Sequence, residues 1–226
     1  LAKGDLKIIS LYLKEGEDIL NKYLRKRLNN KESSYFKRII SSHKYIESIY
    51  RDLDKSGFES KKEKIIPHIG ESHSLTFSQQ KVNIFSQQKR IQSIWIPDCK
   101  SWHLANEGMN KYKAYFLEQF RNFNDSSEIF ISFGEIDCRK NEGILYHSIK
   151  YNKKISSICE NTINGYLNYM EDKLSPYYAK RIYFGIPAPR IFTEFVDELD
   201  RKRIKMIKIY NLLFKKQVLK RGCYFL

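Results

Sequence analysis

The sequence predicts an α/β domain of three layers, with a parallel sheet between helices and an inserted β-hairpin, preceded by an N-terminal helical hairpin. Three observations predict it. After residue 64, short apolar segments alternate with amphipathic ones, as strands and helices do around a parallel sheet. Two apolar segments, residues 65–69 and 128–133, each run into a turn in which glycine precedes glutamate. The chain of 226 residues is 42% hydrophobic, which is enough for a substantial core.

Residues 1–58 are predicted to form the helical hairpin. Apolar residues recur at helical spacing in residues 5–29 and again in residues 36–53, with a polar break between them and Gly57 as a C-terminal cap. Helix pairs of this kind occur in repeat arrays, but two helices cannot form a solenoid alone. We therefore expect the end of such an array or a cover for the next domain, with a surface for a protein partner.

Residues 64–226 are predicted to form the α/β domain, after a charged linker at residues 59–64. Successive right-handed crossovers place the ends of parallel strands at one edge of the sheet, where ligands bind. The predicted elements are a strand at 65–69, hairpin strands at 81–85 and 90–96, a loop at 97–106, a helix at 107–123, a strand at 128–133, a loop at 140–151, a helix at 156–174, a strand at 180–186, a helix at 196–220 and a strand from 223.

The formal net charge of +15 has two interpretations. It favours attraction to a polyanion, but lysines spread along the whole chain are also typical of solvated faces. No motif interleaves the basic residues with aromatic ones, so we expect no specific nucleic-acid site. No apolar segment approaches the 18 residues of a membrane span, and the start of the chain shows no signal-peptide pattern.

The four cysteines are scattered along the chain and form no CxxC pair. No histidine lies at ligand spacing from them, so the sequence predicts neither a zinc site nor a cofactor. Dispersed single cysteines indicate reduced thiols in a cytoplasmic protein.

A serine follows the first strand, in the turn Gly70-Glu71-Ser72-His73. Gly70 allows the chain to turn sharply, and Glu71 can brace the loop. The backbone N–H of Ser72 can help to hold a developing oxyanion, but its hydroxyl is a poor nucleophile until a base removes the proton. Most Gly-Glu-Ser triplets are ordinary turns, so the spacing alone does not identify an active site.

Four motifs, which occur in the same order as in a known family, strengthen the interpretation of this turn as an active site. Ile69-Gly70-Glu71-Ser72-His73-Ser74-Leu75 resembles the first block of SGNH/GDSL hydrolases, with Glu71 where Asp is usual. The other three resemble stretches of a bacterial SGNH-like group often fused to tetratricopeptide repeats. They are Asp98-Cys99-Lys100-Ser101-Trp102-His103-Leu104, Phe133-Gly134-Glu135-Ile136-Asp137-Cys138-Arg139 with Glu142-Gly143-Ile144 after it, and Gly185-Ile186-Pro187-Ala188-Pro189. The resemblance spans residues 65–226 and implies a flavodoxin-like sheet and a serine hydrolase.

Carried over by position, the resemblance makes Ser72 the nucleophile and its N–H an oxyanion donor. The family's third block, Gly-X-Asn-Asp, is here Gly134-Glu135-Ile136-Asp137, so Ile136 replaces the amide donor. The block-two glycine has no clear match, and Asn106 and Gly108 are the nearest residues. The Asp-X-X-His block that would supply the base does not occur before Leu226. Since the chain also begins with Leu rather than Met, we expect it to be a piece of a longer protein.

Several further side chains are candidates at the same edge. Adjacent side chains on a turn diverge, so His73 is not expected to serve as the base. His103 either binds substrate or caps its loop. Trp102 either floors a sugar site or packs the loop, and packing is favoured. Asp137 and Arg139 are expected to form an ion pair that shapes the second turn rather than to contact substrate.

The leading functional hypothesis is a serine ester hydrolase acting on an acylated small molecule or carbohydrate. The alternative is an SGNH-fold module that binds a glycan or protein without catalysis, because Ile136 and the missing Asp-X-X-His block argue against an active centre. Nucleic-acid binding through the net charge is a third. The geometry common to the first two predicts Ser72 beside the turn of residues 134–137, with the loop after Trp102 reaching the same edge.

Overall fold

The computed structural model describes residues 64–120, 127–189 and 196–226. The helical hairpin predicted for residues 1–58 lies outside them. The elements are β1 (Ile65–Gly70), β2 (Lys81–Ile84), β3 (Gln87–Trp95), α1 (Ser101–Ala105), α2 (Lys111–Phe120), β4 (Glu128–Ser132), α3 (Ile144–Tyr151), α4 (Ile155–Leu174), β5 (Lys180–Tyr183), α5 (Glu198–Lys220) and β6 (Tyr224–Phe225), with 3-10 helices at Ser72–Leu75 and Ile136–Cys138.

The sheet has six strands in the order β2-β3-β1-β4-β5-β6. Every neighbouring pair is parallel except β2 with β3. The five parallel strands have the flavodoxin-like order, so the predicted fold class is confirmed. The connection after β1 leads to β3 on one side, and the chain then crosses to β4 on the other. The carboxyl ends of β1 and β4 therefore flank the crevice in which such sheets bind ligands.

The helices of the described chain cover one face of the sheet. The crossovers from β3 to β4, β4 to β5 and β5 to β6 all advance in the same direction, and right-handed connections then lie on the same side. All five helices contribute to one core, for example through Phe116, Tyr166 and Phe214, together with Ile69 and Ile131 of the sheet.

The opposite face carries a second, smaller cluster of buried apolar side chains. It consists of Ile66, Ile91, Phe130 and Ile182, all from strands. Within residues 64–120, 127–189 and 196–226, no helix contributes to this cluster. The predicted third layer is therefore not part of the described chain.

The predicted β-hairpin is confirmed, as β2 and β3. Its two-residue turn places Phe85 and Ser86 at φ 48° and 60°. Positive φ at both central residues matches the twist of the flanking strands. Strand β3 lies between β2 and β1, so its residues Ile91 and Ile94 are buried. Gln87 and Gln88, at the hairpin end of β3, are exposed.

Two predicted loops contain helices. The loop predicted at 97–106 holds α1, and the loop predicted at 140–151 holds α3, which buries Ile144 and Leu145. The helix predicted from residue 107 begins only at Lys111, because the Asn110 side chain accepts the N–H groups of Tyr112 and Lys113. A side chain in this position caps a helix start.

Cys99, Cys138, Cys159 and Cys223 are all buried free thiols, as the scattered spacing predicted. None of the helices in the described chain combines the length and the apolar character needed to cross a bilayer.

A buried ion pair joins two strands on either side of β1. Lys89 of β3 donates to the carboxylate of Glu128 on β4, and both side chains are buried. Ser127 Oγ also donates to Glu128, over 2.8 Å. Burial opposes ionisation of Glu128, but the Lys89 and Ser127 hydrogen bonds outweigh it and lower the pKa of the carboxyl. Glu128 is therefore ionised at neutral pH and holds Lys89 in the sheet.

We expect Glu128→Gln to lower the free energy of unfolding at pH 7 by about 3 kcal/mol, because it leaves the buried Lys89 ammonium without its counter-charge. Urea denaturation measures the change. Glu198→Gln is the matched control, since Glu198 pairs with Lys202 on an exposed helix face. That control is expected to change the free energy of unfolding much less, because exposed ion pairs contribute little to stability. Equal losses in the two variants would show that the buried pair contributes no more than a surface one.

Candidate functional site

The turns after β1 and β4 lie side by side at the carboxyl edge of the sheet. The Glu71 N–H donates to the Ser132 carbonyl over 3.2 Å, and the Glu135 N–H donates to Glu71 Oε1 over 2.7 Å. A Cβ at Gly70 would lie 2.3 Å from the Ser132 carbonyl oxygen. Only glycine permits so close an approach, so Gly70 allows the two turns to lie together. The two hydrogen bonds confirm the predicted juxtaposition of the turns.

Ser72 is the first residue of the 3-10 helix Ser72–Leu75, and it is exposed. The preceding Glu71 is extended and buried, so the turn presents the serine to solvent and the glutamate to the interior. Ser74 closes the turn by donating its hydroxyl to the Glu71 carbonyl over 2.8 Å. Among the described residues, none hydrogen-bonds to the Ser72 hydroxyl.

The Glu71 carboxyl is held inside the site. The side chain is 2% exposed, and its Oε1 accepts the Glu135 N–H. Its Oε2 is buried and accepts no hydrogen bond within the described chain. Burial raises the pKa of the Glu71 carboxyl to about 8. Glu71 braces the two turns, as expected, but one of its oxygens is left without a partner.

Glu135 is an ionic junction between the second turn and α5. Its Oε2 lies 2.9 Å from Arg139 Nη2, and its Oε1 lies 3.1 Å from Arg203 Nη2. Arg139 also reaches Glu142, at 3.4 Å. Arg203 additionally donates to the Cys138 carbonyl over 2.7 Å, which ties the long helix α5 to the turn.

The predicted ion pair between Asp137 and Arg139 is wrong. Asp137 is fully buried, and its carboxylate accepts the N–H groups of Ser101 and Trp102 over 2.7 and 3.0 Å. It therefore caps the start of α1 from 36 residues away in sequence. Two free N–H groups satisfy a carboxylate at a helix start, and Arg139 finds Glu135 and Glu142 instead. Burial raises the pKa of Asp137 to about 6.

His73 follows the exposed Ser72 and lines the cavity at this edge of the sheet. It is half-buried, and its Nδ1 makes no hydrogen bond with any residue in the described ranges. One side-chain ligand atom from each of His73, Glu71 and Glu135 lies within 4.8 Å of the others. The sequence predicted no metal site, because the cysteines form no CxxC pair and no histidine lies at ligand spacing from them.

A cavity of about 270 Å³ opens at this edge. Its polar side holds Glu71, His73 and Glu135. The fourth sequence motif contributes Gly185, Ile186 and Pro187 to the wall. The remaining lining residues are His68, Thr76, Phe77, Ser132, Phe133 and Phe184. The cavity is thus largely apolar with one polar end, as ligand pockets are.

A buried serine–histidine pair in this cavity was missed by the sequence analysis. His68 Nε2 lies 2.9 Å from Ser132 Oγ, and His68 is 1% exposed. Its ring stacks on Phe184, with 5.1 Å between centroids. Burial lowers the pKa of His68 to about 4, so the ring is neutral at physiological pH. The only signal in the sequence is a histidine inside an otherwise apolar strand.

A second, larger groove of about 670 Å³ lies beside α1. Trp102, Asn106 and Asp137 line it, with residues of α3 and α4. Trp102 is 51% exposed and lines the groove, and its ring also contacts His103 with 5.5 Å between centroids, so both predicted roles of Trp102 stay open. The predicted site residues therefore divide between two cavities. The predicted site residues that line neither cavity are Gly70, Ser72, His103, Gly108, Gly134 and Arg139.

His103 serves as a cap. Its Nδ1 accepts the Lys100 N–H over 3.0 Å, and its ring stacks on Tyr112 with 3.9 Å between centroids. Burial, aided by the charge of Lys100, lowers the pKa of His103 to about 4. Of the two roles left open by the sequence, the structure supports capping.

No protein-family model matches the chain, and no curated protein matches it. A solved structure with similarity is the crystal structure of LAE5, an α/β hydrolase enzyme from the metagenome of Lake Arreo, Spain. It shares 10% identity and a TM-score of 0.40, over 72% of this chain and 75% of that one. A similarity of this size assigns neither a family nor an activity to the present chain.

The buried Glu71 carboxyl predicts a pH dependence of stability. Its pKa is raised from 4.5 to about 8 in the folded protein, so the folded state holds this proton more tightly than the unfolded state. Stability from this group is therefore present at low pH and falls as pH rises from 4.5 to about 8. We expect Glu71→Gln, in buffer with EDTA, to be more stable than wild type by roughly 2–5 kcal/mol at pH 9 and nearly equal at pH 4.

Urea denaturation across this pH range measures the difference. Glu107→Gln is the control, because Glu107 lies outside the turn and its variant should follow the wild-type curve. A parallel pair of curves for wild type and Glu71→Gln would show that Glu71 titrates alike in the folded and unfolded states.

Proposed function

We propose that the domain is an SGNH-type serine ester hydrolase with Ser72 as the nucleophile. One observation carries the proposal. Ser72 is exposed at the carboxyl end of β1, where the strand order reverses, and the second turn lies directly beside it. Of all positions in an open α/β sheet, this is where a reactive side chain meets a ligand.

In the proposed reaction, the Ser72 hydroxyl attacks the ester carbonyl and loses its proton to a base. The alcohol leaves with a proton, and water then releases the acid from the acyl-serine. The Ser72 N–H is positioned to donate to the oxyanion. In the family that the chain resembles, the base is the histidine of an Asp-X-X-His block, and none of the described residues hydrogen-bonds to the Ser72 hydroxyl.

The surroundings support an acylated substrate. The small apolar cavity beside the turn suits an acyl group in size and polarity. The exposed indole of Trp102 in the larger groove suits a sugar ring, since aromatic faces pack against apolar ring surfaces. An acylated carbohydrate would use both features.

We expect the full natural polypeptide to hydrolyse p-nitrophenyl acetate, and Ser72→Ala to lower kcat/KM by at least about 10³-fold, because it removes the nucleophile. A fluorophosphonate probe should label the wild type and not the variant. Ser156→Ala is the matched control, since Ser156 is an exposed serine on α4. Equal hydrolysis by Ser72→Ala and the wild type would end the proposal.

A second function is a binding module without catalysis, and two contacts favour it. The Glu135 N–H, in the turn that should supply an oxyanion donor, is already taken by Glu71. Ile136 replaces the usual amide side chain and is buried. The second turn would then offer fewer oxyanion donors than the family's pattern implies.

Under this alternative, the wild type and Ser72→Ala bind an acetylated oligosaccharide equally and neither releases acetate. Trp102→Ala is expected to weaken binding at least about tenfold, because it removes the exposed aromatic face. Isothermal titration calorimetry measures the affinity. Acetate release that depends on Ser72 would reject the alternative.

A further inference from the structure

The inner side of the first turn holds two polar atoms that the described chain leaves without partners. They are Glu71 Oε2 and His73 Nδ1, and both are buried. Glu71 as a whole is nine-tenths buried or more. A buried polar atom without a partner is costly, so two of them on side chains of one turn point to a ligand that would satisfy them.

We propose that Glu71, His73 and Glu135 bind a divalent first-row transition-metal ion, such as Zn²⁺. Their ligand atoms lie within 4.8 Å of one another, so small side-chain movements would bring all three to the roughly 2.0–2.2 Å of a metal bond. The proposal does not depend on the hydrolase activity, because it uses Glu71, His73 and Glu135 and not the exposed Ser72.

The donor set selects the class of metal. One imidazole nitrogen and two carboxylates suit Zn²⁺ or Mn²⁺, whereas Mg²⁺ and Ca²⁺ prefer oxygen ligands alone. Three protein ligands leave a tetrahedral ion one open position. All three residues line the cavity of about 270 Å³, so that position is available to water or a substrate oxygen.

The neighbouring groups hold the carboxylates in place. Glu71 Oε1 is fixed by the Glu135 N–H, which leaves Oε2 for the ion. Arg139 and Arg203 orient the Glu135 carboxylate. Hydrogen bonds of this kind to ligating carboxylates are a regular feature of metal sites.

The charge balance also permits a cation. Arg139 and Arg203 face three carboxylates, those of Glu71, Glu135 and Glu142. The two arginines are paired with Glu135 and Glu142, so Glu71, once it gives up its proton to a binding ion, would have no paired cation. A divalent ion would therefore be attracted to Glu71, although the arginines oppose it and weaken the expected affinity.

The competing explanation is that Glu71 stays protonated and shares its proton with His73 without any metal. Metal binding to the purified natural protein separates the two. After EDTA treatment and gel filtration, we expect the wild type to bind one equivalent of Zn²⁺ by calorimetry and by metal analysis. Zn²⁺ should also raise its Tm, and Mg²⁺ at the same concentration should not.

Glu71→Gln and His73→Ala are each expected to weaken Zn²⁺ binding at least tenfold, since each loses one ligand. His147→Ala is the matched control, because His147 is an exposed histidine outside the group, and its Zn²⁺ affinity should remain within twofold of wild type. Circular dichroism checks folding, and His73→Ala decides alone if Glu71→Gln does not fold.

Two results would overturn the proposal. One is a wild-type protein that retains no Zn²⁺ or Mn²⁺ after equilibration. The other is His73→Ala binding Zn²⁺ as tightly as the wild type. Ser72→Ala should bind Zn²⁺ normally, so a failure of the hydrolase proposal leaves this one standing, and the reverse holds as well.

Discussion

The close approach of Gly70 to Ser132 is the constraint on which the site depends. The backbone of β1 lies so near that of β4 that a single methyl group at residue 70 would collide with the Ser132 carbonyl. This approach places the Glu71 N–H on the Ser132 carbonyl and the Glu71 carboxyl on the Glu135 N–H. The two turns therefore form one unit rather than two separate loops.

The second turn also contacts helices α1 and α5. Its Asp137 caps α1, whose Trp102 and Asn106 line the larger groove. Its Glu135 binds Arg203, which lies on α5 at the other end of the chain. A short turn thus connects both cavities because its two carboxylates point in different directions, one to backbone N–H groups and one to guanidinium groups.

Electrostatics and burial give the carboxylates of this region different roles. Glu135 is ion-paired, and Asp137 is buried against helix N–H groups, which oppose the rise in its pKa caused by burial. Glu71 has one backbone donor and an apolar cavity beside it, so burial prevails and its pKa rises furthest. The same residue braces the turns and leaves an unused oxygen toward His73, and no other carboxylate in the unit combines those properties.

The sequence by itself determined the parallel sheet, the hairpin and the pairing of two glycine turns, because strand periodicity and glycine position are local signals and crossover handedness is general. Only the tertiary structure decided the partners of individual side chains. Asp137 accepts the helix N–H groups of residues about 36 positions away in the sequence. Ser132 on β4 hydrogen-bonds to His68 on the neighbouring strand β1. Helix α1 likewise escaped prediction, because its five residues are stabilised by that distant carboxylate rather than by their own pattern. Such contacts depend on which strand ends become neighbours in the sheet. The local spacing of residues in the sequence does not encode which ends those are.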